Sequence, residues 1–128
     1  MKFAYTILYV SDVSRAVTFY ENAFSLKMRF IHESGQYAEM ETGETALAFA
    51  STELARSNLP DGVQENNLTL PPAAIEIAFT TDDVPSAFSQ AVQAGATPAA
   101  EPQLKPWGQH VAYVRDLDGV LIEIASPL

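Results

Sequence analysis

The sequence predicts an α+β fold: two tandem strand–helix–three-strand (βαβββ) repeats that form a curved, cupped mixed sheet with helices on its outer face. Three observations lead there. The stretches "YTILYVSDVSRAVTFYENAF" (Tyr5 to Phe24) and "EIAFTTDDVPSAFSQAVQAG" (Glu76 to Gly95) share one order: an alternating strand, a polar turn with Asp, then a helical apolar stripe. The stretches "GQYAEMETGETALAFAS" (Gly35 to Ser51) and "GQHVAYVRDLDGVLIEIAS" (Gly108 to Ser126) both begin Gly-Gln, pass through a turn containing Gly, and end Ala-Ser, as an internal duplication would. The tetrapeptide Ile-Glu-Ile-Ala also occurs twice, at 75–78 and 122–125, each time with one carboxylate inside an apolar strand-like run.

The elements follow in order. A strand at 3–10 leads to a helix that Ser11 or Asp12 can cap, with Val13, Ala16, Val17, Tyr20 and Phe24 as its apolar stripe. Strands at 27–32, 36–41 and 45–50 complete a first module, residues 1–51. Residues 52–72 read as a linker, marked by polar residues, a Pro60-Asp61-Gly62 turn and the Pro71-Pro72 pair, with one helical turn at Thr52 to Arg56. The second module, 73–128, has strands at 74–80, 98–100, 109–115 and 119–125. Its helix is capped by Asp82 or Asp83, carries Pro85 in the first turn, buries Val84, Ala87, Phe88, Ala91 and Val92, and stops at Gly95. The whole of 1–128 fits one domain.

Composition limits the partners. Hydrophobic residues are 48 % of the chain, enough for a core. Sixteen acidic against seven basic side chains give a net charge of −9, which repels phosphate backbones, so no nucleic-acid partner is expected. The chain has no cysteine, which removes disulfides, thiol nucleophiles and thiolate zinc sites and fits a cytoplasmic location. The start, "MKFAYTILYV", does not read as a signal peptide, and no run approaches the roughly 20 apolar residues of a spanning helix, so no membrane partner is expected.

Side chains alternate along a strand. Ala74, Glu76, Ala78 and Thr80 therefore share one face, opposite Ile75, Ile77 and Phe79. In the last strand Leu121, Glu123 and Ala125 oppose Val120, Ile122 and Ile124. The first module repeats the pattern, with Ala46, Ala48 and Ala50 opposite Leu47 and Phe49, and with Phe3, Tyr5, Ile7 and Tyr9 on the matching face of its first strand. The bulky face belongs under the helices. The small-residue face either lines a cavity, if the sheet curves, or is a plain solvated face.

The duplicated unit, and above all "PWGQHVAYVRDLDGVLIEIASP" with its Trp-Gly, Asp-x-Asp-Gly and Glu-bearing strand, resembles the vicinal oxygen chelate superfamily of glyoxalase I, extradiol dioxygenases and fosfomycin and bleomycin resistance proteins. The resemblance covers nearly all of the chain outside the linker and implies a single glyoxalase/bleomycin-resistance-like domain. Its metal-ligand positions, carried over, fall on Tyr5, Ala48, Glu76 and Glu123. Relatives that use a metal place His, Gln or Glu at the first position, Glu at the second and His at the third. Ala48 cannot ligate, and a tyrosine with a reference pKa near ~10 is a poor ligand at neutral pH. Two carboxylates fall short of the three protein ligands of a catalytic zinc site. His32 and His110 lie outside these positions and read as polar residues of strand or loop. No cofactor is expected, and a divalent metal is disfavoured; Mg²⁺ with mostly water ligands is the one the pair would still accommodate.

Three functions follow. The leading one is metal-free binding of a small organic molecule, as in bleomycin-type resistance proteins, with Tyr5, Tyr9, Tyr37, Phe49 and Trp107 as aromatic contacts and Glu76 and Glu123 receiving a cationic group. The second is an enzyme in which Glu76 and Glu123 act as acid and base while Tyr5 donates to a developing oxyanion. The third is a metal-dependent lyase or dioxygenase with an atypical site. The superfamily's habit of completing sites across chains implies a homodimer.

Overall fold

The computed structural model describes all 128 residues, Met1–Leu128. In chain order the elements are β1 (Tyr5–Val10), α1 (Val13–Phe24), β2 (Met28–Ile31), β3 (Tyr37–Met40), β4 (Ala46–Ser51), α2 (Thr52–Asn58), β5 (Glu76–Thr80), α3 (Val84–Gln93), β6 (Thr97–Leu104), β7 (His110–Arg115) and β8 (Leu121–Ala125). The fold is α+β, and the βαβββ unit occurs twice. Each copy builds a four-stranded mixed sheet, in the orders β1-β4-β3-β2 and β5-β8-β7-β6. The chain divides into two compact units: Met1–Glu21 with Ser25–Glu65, and Asn22–Phe24 with Asn66–Leu128.

The helix starts are fixed by side chains that satisfy free amides. The Asp12 carboxylate accepts from the Arg15 N–H at 3.0 Å at the start of α1, and Asp83 accepts from Ser86 N–H at 3.1 Å at the start of α3. Between Ser11 and Asp12, and between Asp82 and Asp83, the cap is thus the second residue. Ser51 caps α2 through Leu54 N–H at 3.0 Å, and that helix runs two residues past the single turn expected at 52–56.

In the first unit α1 buries Val13, Ala16, Val17 and Tyr20, and the Tyr20 ring meets Phe49 of β4 at 4.8 Å. Phe49 has no exposed surface. That corrects its expected role as a ligand contact: alternation turns it with Leu47 toward the helix, and Tyr20 fills the space a ligand would need. In the second unit α3 packs on β6, β7 and β8, burying Val84 and Ala91, with Ile122, Ile124, Ala112 and Val114 beneath. Phe24 stacks on Phe79 at 4.9 Å in the same unit.

The largest departure from expectation is β6, an eight-residue strand where 98–100 was expected. It holds Pro98 and Pro102, which argue against a strand because proline cannot donate to a ladder. The topology resolves the conflict. β6 is an edge strand, bonded only to β7, and its pairing shifts register between Pro98 and Ala100 and again between Ala100 and Gln103. No helix of the chain is long and apolar enough to cross a membrane.

Candidate functional site

In the second sheet β5 and β8 run parallel, with Glu76 opposite Leu121 and Ala78 opposite Glu123. β7 lies antiparallel on the other side of β8 and sets Tyr113 opposite Glu123. Residues opposite one another share a face, so Glu76, Glu123 and Tyr113 lie together, away from Ile77, Phe79, Ile122 and Ile124. The parallel pairing brings Glu76 diagonally onto Glu123, and the small Ala78 between them leaves room for both carboxyl groups.

The two acids perturb each other. The Glu76 carboxyl is pushed up to about 7, first by its hydrogen bond to Glu123, then by partial burial and the repulsion of the Glu123 charge. Glu76 is exposed along its outer side and Glu123 is half-buried, so the shared proton, more than desolvation, sets the shift. The Tyr113 hydroxyl donates to Glu123 Oε2 at 3.2 Å. Burial raises the Tyr113 pKa, and the charges of Glu123 and Glu76 raise it further. At neutral pH Glu76 is thus incompletely ionised, beside Glu123 with a phenol oriented on it.

The first sheet is different at the equivalent places. Tyr5, opposite Ala46, stands where Glu76 stands in the second module, and Ala48 stands where Glu123 does. Tyr5 is 53 % exposed and Ala48 is wholly buried. Opposite Ala48 lies Glu39, which sequence reasoning missed. Only 8 % of Glu39 is exposed. Arg29 Nη1 reaches its Oε1 at 3.2 Å, and the Tyr37 hydroxyl donates to its Oε2 at 2.8 Å. Burial and the bond to Glu39 drive the Tyr37 hydroxyl well above the ordinary phenol range. Arg29 also pairs with both oxygens of Glu41, each at 2.8 Å, and holds the Glu41 carboxyl below its usual range. Glu39 was legible in one respect: it alternates with Tyr37 and Glu41 and so faces the alanine row. Tyr113 occupies the position of Glu39 in the second sheet, opposite Glu123 as Glu39 is opposite Ala48, an equivalence that only the strand register reveals.

The remaining candidates are scattered. Tyr9, opposite Ala50, and Tyr37 are half-buried on the first sheet's alanine face. Trp107 sits in the turn between β6 and β7, 64 % exposed, its indole N–H donating to Gln109 Oε1 at 2.7 Å. His32 Nδ1 bonds the Ser34 hydroxyl at 2.8 Å within a turn, and His110 is exposed at the start of β7.

The donor set does not fit the transition metal implied by the family positions. Nowhere in the chain do three His, Cys, Asp or Glu side chains gather to hold an ion. Ala48 offers no donor atom, which leaves Glu76 and Glu123 short of the three protein ligands of a catalytic zinc site.

Two βαβββ modules, each building a four-stranded mixed sheet, define the vicinal oxygen chelate fold. The chain belongs to the Glyoxalase/Bleomycin resistance protein/Dioxygenase superfamily, whose family model matches residues 2–124. It is 28 % identical over 132 residues to the uncharacterized protein YraH of Bacillus subtilis (strain 168), covering all of both chains. A crystal structure of a glyoxalase-related enzyme from Fulvimarina pelagi superposes with a TM-score of 0.85 at 20 % identity, over 99 % of this chain and 88 % of that one. A protein of unknown function from Agrobacterium tumefaciens str. C58 superposes with a TM-score of 0.79 at 26 % identity, over 100 % of this chain and 95 % of that one.

Proposed function

We propose that the protein binds a small organic molecule carrying a positive charge, without a transition metal, on the face that holds Glu76 and Glu123. The observation that carries this reading is the register that sets Glu76 and Glu123 diagonally together on one face of the sheet, where Glu123 pushes the Glu76 carboxyl up to about 7. A pair that must hold a proton to relieve its own repulsion gains more from an ammonium or guanidinium group than an isolated carboxylate does, because the cation replaces that proton. Tyr113 orients Glu123 for the same contact. Trp107, in the same unit as the two acids, is the proposed aromatic contact, and a net charge of −9 favours encounter with a cation.

Titration calorimetry with a panel of arylalkylammonium and arylguanidinium compounds tests this. Affinity is expected to rise from pH 5.5 to pH 8 as the shared proton is surrendered, and to fall at least about tenfold in Glu123→Gln, the worth of one charge-assisted hydrogen bond. Equal affinity for neutral isosteres would overturn the reading. Elemental analysis of the purified protein is expected to find far less than one transition metal per chain; a full equivalent, lost together with structure on chelation, would defeat the metal-free part.

One observation favours a second reading. A carboxyl group that titrates near 7 suits general acid–base work, so Glu76 would take a proton from carbon beside a carbonyl, with Glu123 as its partner. Solvent-deuterium exchange into a bound carbonyl ligand, abolished by Glu76→Gln, would separate this enzyme from a binding protein.

A further inference from the structure

The stretch Asp116-Leu117-Asp118-Gly119 joins β7 to β8, and the proposed function leaves it unused. Asp116 is 2 % exposed, and its Oδ1 accepts from the N–H groups of Asp118, Gly119 and Val120 at 3.0, 2.9 and 2.9 Å. This fixes the turn. Beside it stands Arg115, on the same face as Glu123 and opposite Leu121. Its guanidinium gives four hydrogen bonds, all to backbone carbonyls: Gly119 at 3.0 Å, Leu70 at 2.8 Å, Leu68 at 3.3 Å and Asn67 at 3.1 Å. Three of the four lie on one short segment before β5. That segment is itself a turn, with the Asn67 side chain accepting from Thr69 N–H at 2.9 Å and the Leu70 N–H donating to Asn67 O at 3.1 Å.

Gly119 lets this segment approach. Its φ of +101° is a conformation that favours glycine, and a Cβ there would stand 2.9 Å from Arg115 Nη2 and 3.1 Å from the backbone of Asn67 and of Leu68. From Leu70 the chain passes through Pro71 and Pro72, whose φ is fixed, and reaches Glu76, the first residue of β5. β5 is an edge strand, held in the sheet by β8 alone. Its start is joined through Pro71 and Pro72 to the segment that Arg115 holds.

We propose that Arg115 and Gly119 form a latch on the Asn67–Leu70 segment, and that Arg115 is thereby a positioning residue for Glu76. The proposal rests on the reading of Glu76 and Glu123 as the site, but its test reads the carboxyl pair and needs no ligand, so failure to find a ligand leaves it intact. The full chain is prepared as wild type, Arg115→Gln, Arg115→Lys and Gly119→Ala. Amide hydrogen exchange at Thr69 and Leu70 and the titration of the Glu76 carboxyl carbon are followed by NMR. In Arg115→Gln, exchange in the segment is expected to accelerate about tenfold or more, as for a lost bond to a charged donor. The Glu76 midpoint is expected to fall toward the ordinary carboxylate range as the pair separates. Arg115→Lys restores part of both, and Gly119→Ala reproduces both with the arginine in place. Faster exchange with an unmoved Glu76 midpoint would reduce Arg115 to a staple of the linker and overturn the positioning role. Unchanged exchange in Arg115→Gln would overturn the latch. Should Arg115→Gln not fold, the same two readouts in Arg115→Lys decide.

Discussion

Glu76 links pH to stability through a single proton. In an unfolded chain its carboxyl titrates near the ordinary value of 4.5, and in the folded sheet at about 7. Below the lower value both states hold the proton. Between the two only the folded state holds it, so stability falls as pH rises through this window and the loss is complete above about 7. The exposure of Glu76 keeps the effect modest. Glu76→Gln is expected to flatten the melting temperature across that window and to raise it at pH 8. An unchanged pH profile by differential scanning calorimetry would show that the pair shares no proton. Asp116 makes the opposite case, because three amides lose their acceptor in Asp116→Ala, at a cost of about 3 kcal/mol in urea unfolding. Both glutamates could be placed on one face from alternation alone. Their contact could not, since it depends on the parallel register of β5 with β8, and neither could the hydrogen-bonded trio of Arg29, Glu39 and Tyr37. In sequence Arg29 stands before an apolar pair with no acid beside it, and only the antiparallel return of β3 beside β2 brings Glu39 to it. Phe49 was misjudged because its ring chemistry was weighed apart from its face.

At the scale of elements, local chemistry fixes what local chemistry can reach. Both long helices could be read because an Asp, a 3.6-residue stripe and, for α3, a proline in the first turn agree. Asp12→Ala and Asp83→Ala are each expected to cost about 1 kcal/mol in chemical denaturation without altering the fold. A loss below about 0.3 kcal/mol would mean that tertiary packing, not capping, holds these ends. The strand β6 could not be read, because its prolines carry the local signal of a break. Whether a proline strand survives depends on its having a free side, which is a property of the whole sheet. The last two residues of α2 were hidden in the same way by the polar run that surrounds the helix, although its Ala55 is wholly buried.

At the scale of the molecule, the duplication has divided labour: one sheet keeps its acids on the matched positions, the other keeps a tyrosine and an alanine. We expect a homodimer. Ile75, Leu104 and Trp107 are each 64 % exposed, and the acidic chain needs apolar contact to offset its own repulsion on association. Light scattering should give twice the 13.9 kDa chain mass across a wide concentration range; a monomer throughout would dismiss the expectation. The prolines of β6 bear on a different fate. Fibril growth needs a free strand whose amides and carbonyls template an incoming one, and an edge with missing donors and broken spacing offers no such template. Pro98 and Pro102 withhold two donors, and the two register shifts interrupt the spacing of the rest. The strand thus ends the sheet chemically as well as geometrically, and a Pro98→Val, Pro102→Val chain should bind thioflavin T after agitation under conditions in which the parent stays clear.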